Sequence, residues 1–148
     1  MWQDYEPFIS IGVALAAGLL IGFEREQSQS PDAGQIGFLG GARTYPLFAL
    51  VGALSVLLGH GTWSFLPLLS FLGMLGLVTI SYADDGRKER DRGLTTEASL
   101  LLTFLLGALG ATRTLILPES RRVIFVLGIA VVVTLLLSSK PRLKDLVR

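Results

Sequence analysis

The chain has 148 residues, 51% of them apolar, and a net charge of +1 from 13 Lys plus Arg against 12 Asp plus Glu. That length accommodates one domain of ordinary size, and so even a balance lacks the basic excess of a nucleic-acid binder. With no cysteine and one histidine, His60, disulfides, thiolate metal sites, cysteine nucleophiles and multi-histidine metal centres are excluded.

Five apolar stretches carry no Lys, Arg, Asp or Glu: residues 7–23, 45–58, 65–82, 98–111 and 123–138. A water-soluble helix would show a charged stripe every three or four residues. Instead LLTFLLGALGA (residues 101–111) and VIFVLGIAVVVTLLL (residues 123–137) are apolar all round. A chain this short cannot bury five such helices in itself, so lipid is the expected solvent. The prediction is an all-α polytopic membrane bundle of about five transmembrane helices, one domain over residues 1–148. The second stretch is short for the span of about 20 residues that a bilayer requires, so its polar ends must lie close to the membrane.

Taken in order, the connections alternate in charge. Assigned to alternate sides, they place ten Lys and Arg with the first and third connections and the tail, and three with the fourth connection. The positive-inside rule then sets the amino terminus outside and the carboxyl terminus in the cytoplasm of a multi-pass inner-membrane protein.

That topology gathers polar clusters on the cytoplasmic face. The first helix ends at Glu24-Arg25-Glu26 and the second begins at Arg43-Thr44. The third ends beside Asp84-Asp85, and the fourth begins at Thr95-Thr96-Glu97. Thr44 and either Thr95 or Thr96 are expected as N-caps, turning two helix amino termini toward this face. Glu24, Asp84, Asp85 and Glu97 are candidate oxygen ligands for a hard cation such as Mg²⁺, although anions could also be received at the helix starts. The outer face offers His60, Glu119 and a few arginines, and no nucleophile–base pair accompanies them, so no enzyme activity and no cofactor are expected.

Small residues define faces. Ala14, Gly18 and Gly22 recur at every fourth position of the first helix, and this ridge runs on to Arg25 and Glu26. Thr96, Thr103, Gly107 and Gly110 form a second stripe on the fourth helix. The two stripes are expected to meet, pairing Arg25 with Glu97, and a parallel homodimer is expected along the first ridge.

The segments GLLIGFERE (residues 18–26), GGARTYPLFALVGAL (40–54) and GLTTEASLLLTFLLGAL (93–109) together resemble the amino-terminal membrane domain of the MgtC/SapB family. The resemblance covers all five predicted helices. It implies a bacterial or archaeal inner-membrane protein whose best-known relatives are linked to growth in low magnesium. It carries the family's polar motifs onto Glu24, Arg25, Glu26, Arg43, Thr44, Thr95 and Thr96. It also implies two functional readings. One is homeostasis or transport of an ion or small charged solute; the other is a non-transporting regulator of another membrane complex such as the ATP synthase. Relatives of the virulence type continue into a soluble domain, so the basic tail SSKPRLKDLVR (138–148) is read as leading into a further part.

Overall fold

In the computed structural model the described residues are 5–28, 42–59, 61–87, 95–113 and 118–139, the side chains at 62, 84–87 and 119 excepted. Five α-helices appear in chain order and no strand is present among the described residues: α1 (Glu6–Gln27), α2 (Thr44–Leu58), α3 (Leu66–Arg87), α4 (Thr95–Ala111) and α5 (Glu119–Ser138), with a short 3₁₀ turn at Gly61–Trp63. His60, the glycines at 40, 41 and 93, residues 88–92 and the basic tail lie outside the described residues.

The first helix reaches past its apolar run because good helix formers follow. Glu24 to Gln27 continue α1, because Glu, Arg and Gln lose little rotamer freedom in a helix. Pro7 and Pro46 both sit in first turns, where the absent N–H has no intrahelical partner to lose.

The expected cap at Thr44 does not form. Thr44 is already the first residue of α2, and Arg43 occupies the cap position with helical angles and no side-chain cap bond. Thr95 opens α4, and the residues ahead of it lie outside the described ones. The helix starts still face the predicted end, but their first N–H groups are not served by Thr44.

Helices that follow one another in the chain run in alternating directions. Tyr45 near the start of α2 meets Ser99 near the start of α4, so these two are parallel. Gly18 and Gly22 of α1 lie against Tyr45, Pro46 and Ala42, so α1 is antiparallel to α2. Glu6 at the start of α1 meets Arg122 at the start of α5.

The inner pair is α2 and α4, seamed by glycine. A methyl group on Gly107 would overlap the Ala49 carbonyl oxygen, and one on Gly52 would overlap that of Phe104. Backbones touch there without side chains between them, the close approach that small residues permit. The α1 ridge is also used inside the chain, but against α2 rather than α4. A Cβ on Gly18 would lie 2.6 Å from Pro46 Cα, and one on Gly22 2.6 Å from the Ala42 oxygen. Ala14 is fully buried with Ala49, Ala53 and Ala111. Of the α4 stripe, Gly107 faces α2, and Gly110 turns to α1, near Val13 and Ser10. The expected meeting of the two stripes is thereby corrected at Gly18 and Gly22, which meet α2 instead, so a dimer along the α1 ridge would have to displace α2.

Around this centre the bundle is greasy on the outside. Only 6% of Leu66–Ala83 in α3 is buried, and Leu68, Leu69, Leu72, Leu77 and Ile80 are exposed. Glu6–Gln27, Leu66–Ala83 and Ser120–Ser138 are long and apolar enough to cross a bilayer, whereas α2 and α4 have 15 and 17 residues. At 1.5 Å per residue the inner helices are roughly 22 and 25 Å long, against a hydrocarbon core of about 30 Å. Long apolar helices thus flank a short inner pair, an arrangement that fits a helical membrane bundle.

Candidate functional site

The helix spacing carries Arg25 inward. Seven residues past Gly18, two turns nearly close, within about 20° of the ridge, whereas Glu26 overshoots by about 80°. Arg25 is accordingly 7% exposed and Glu26 lies in the open, which corrects the expectation that both face inward.

Arg25 arrives at a small polar network between α1, α2 and α4. The Tyr45 hydroxyl is 3.0 Å from Ser99 Oγ, and both side chains are buried. Ser99 Oγ donates its hydrogen to the Thr96 carbonyl at 2.7 Å, so Tyr45 must be the donor to Ser99. The charges of Arg25 and of Glu97 both act on the Tyr45 hydroxyl. One turn deeper, Thr103 Oγ1 donates to the Ser99 carbonyl at 2.7 Å.

The network leaves atoms without partners. Arg25 Nε and Nη2, Glu24 Oε2 and Glu97 Oε2 are buried and make no hydrogen bond. Buried polar groups are nearly always satisfied, so four such atoms at the end of α1 and in the first turn of α4 mark a site rather than a core. Glu97 also lines a mostly apolar cavity of about 300 Å³ between α3 and α4, with Leu75, Val78, Thr79, Tyr82 and Leu101.

Other sequence candidates sit further out. Arg43 and Thr95 are exposed at the starts of their helices, and Thr44 and Thr96 are half-buried. The side chains of Asp84 and Asp85 lie outside the described residues. Among the described residues no group of three or more His, Asp or Glu side chains is placed to hold a metal ion. At the centre stand a guanidinium and two hydroxyls, and a Mg²⁺ ion bound beside Arg25 would meet like charge. Two of the four candidate oxygen ligands, Asp84 and Asp85, lie outside the described side chains, and Glu24 and Glu97 alone are fewer than a hard cation uses.

Two features escape the sequence. Tyr45 and Ser99 were not singled out, although a tyrosine in the first turn of an otherwise apolar helix was a usable signal. The opposite end of the bundle is also richer than expected. Glu6 Oε2 pairs with Arg113 Nε at 3.0 Å, and Glu6 Oε1 pairs with Arg122 Nη2 at 3.4 Å. Arg122, 2% exposed, also donates to the Thr112 carbonyl at 3.2 Å. This triad joins the starts of α1 and α5 to the end of α4.

The glycine seams and the polar cluster at the ends of α1, α2 and α4 fall on the three segments that carried the sequence resemblance. The model of the MgtC family matches residues 11–146, nearly the whole chain. The chain belongs to the MgtC family. The match contains every helix of this MgtC-family chain except the opening residues of α1, so the Arg25 network lies within it and Glu6 just ahead of it. No match was found among curated proteins or among solved structures.

Proposed function

We propose that this MgtC-family chain is a membrane domain that handles an ion or small charged solute through the Arg25–Tyr45–Ser99–Glu97 cluster, located on the cytoplasmic side of an inner membrane. The observation that carries this reading is the buried guanidinium of Arg25 with two unpartnered nitrogens, set where α2 and α4 begin. Two helix amino termini meeting at a polar cluster resemble the broken-helix sites of secondary transporters, whose half-helices receive charged groups.

The alternative of a regulator that docks through glycine-rich faces is less well supported. Gly18, Gly22, Gly52 and Gly107 are all occupied by contacts within the chain. A parallel homodimer would join through the outward faces of α3 or α5. Magnesium as the solute would have to use Glu24 and Glu97 against the charge of Arg25.

Flux of charged solutes into liposomes containing the purified protein tests the reading. The expected result is uptake that falls strongly when Arg25 or Glu97 is neutralised. Flux unaffected by neutralising Arg25, Arg43 and Glu97 removes the site.

A further inference from the structure

The two unpartnered nitrogens of Arg25 are not an arbitrary pair. Nε–H and Nη2–H lie side by side on one edge of the guanidinium and point the same way, the fork that grips two oxygens of a carboxylate or phosphate at once. We propose that this edge seats the oxyanion of a solute that also carries a positive or hydrogen-donating group next to it. This inference rests on the reading of the cluster as a solute site and names the class of solute.

The second half of the ligand follows from the carboxylates. Glu24 Oε2 and Glu97 Oε2 are buried acceptors without donors, Glu24 next to Arg25 in the last turn of α1 and Glu97 in the first turn of α4. A bare anion on Arg25 would answer the fork and leave these oxygens facing a like charge. A bare cation would answer the oxygens and face the guanidinium. A solute with an oxyanion beside an ammonium or hydroxyl group satisfies both sets, as a phosphate-and-amine pair or an amino acid does. Direct pairing of Glu97 with Arg25 would also have satisfied both, yet each keeps an unpartnered atom while both act on the Tyr45 hydroxyl.

The edge is covered in this conformation, and we take the cavity lined by Glu97 as the way in. It separates α3 from the start of α4, and α3 is the helix least held by the rest of the bundle. Its apolar wall admits either a small solute crossing it or the acyl chain of a lipid whose headgroup carries the same phosphate-and-amine chemistry.

The test uses the full chain, purified in detergent, with thermal melting read against phosphoethanolamine, sodium sulfate and magnesium chloride. A free solute of the proposed class is supported by a saturable rise in melting midpoint with phosphoethanolamine that sulfate does not reproduce. The lipid source is supported when the wild-type protein, taken from bilayers of mixed phosphatidylethanolamine and phosphatidylcholine, retains the ethanolamine lipid selectively by native mass spectrometry. In either case Arg25→Lys, which keeps the charge and removes the fork, should weaken binding about tenfold or more, the worth of one charge-assisted hydrogen bond. Should Arg25→Lys fail to fold, ³¹P NMR titration of the wild-type protein and of Glu97→Gln supplies the same comparison. Equal binding by the variants overturns the proposal, as does silence toward both ethanolamine probes. Stabilisation by magnesium chloride alone also overturns it while leaving the solute-handling reading in place.

Discussion

The Tyr45 and Ser99 hydroxyls meet at 3.0 Å, 54 residues apart in sequence, and tie the first turn of α2 to the second turn of α4. Because Ser99 gives its only hydrogen to Thr96, the bond has one direction, from Tyr45 to Ser99. Tyr45→Phe therefore removes a donor from Ser99. Thermal unfolding should show a loss of about 1–3 kcal/mol, and the double variant with Ser99→Ala should lose less than the sum of the two. Additive losses would mean that the two hydroxyls do not act together.

The glycine seam makes a sharper prediction. Gly107→Ala and Gly52→Ala each place a methyl group on the facing backbone, so the helices must separate, at a cost of about 1–3 kcal/mol or more. Gly73→Ala and Gly76→Ala on α3 meet nothing within 4 Å. They should leave the melting midpoint unchanged or raise it, by up to about 1 kcal/mol from helix propensity.

At the opposite end, Glu6 stands between two arginines of unequal burial. Glu6→Gln strands the guanidinium of Arg122, 2% exposed, and should cost about 3–5 kcal/mol, seen as poor recovery from the membrane or early melting. Arg113 is half-exposed, and Arg113→Ala should cost no more than about 1 kcal/mol.

Arg43 separates the two functional readings. Its side chain is exposed and makes no cap bond, so Arg43→Ala should leave the melting midpoint close to that of the parent protein while solute flux falls. A clear drop in stability together with lost recovery of a partner complex would favour the regulator instead.

Much of this architecture was legible in the residues. Charge-free runs announced five helices, and the fourfold spacing of Ala14, Gly18 and Gly22 announced the buried face of α1. Spacing defines a face but not its partner. Small residues line α1, α2 and α4 alike, so nothing local said that Gly18 would meet Pro46 rather than α4. Arg25 was found because its register could be counted from Gly18. The Glu6–Arg122 bond could not be counted in the same way, since 116 residues separate its partners and each looked like an ordinary flanking charge. Tyr45 was hidden by being aromatic in an apolar helix, where its ring explains itself and its hydroxyl goes unnoticed.

The seam of Gly52 and Gly107 also limits how the protein can move. Two parallel helices whose backbones touch leave no lane between them and no side chains to rotate out of the way. They behave as one beam. Any opening that exposes Arg25 must then be a swing of the lightly held α3, or of α1 with α5, about that beam, leaving the beam itself at a fixed width.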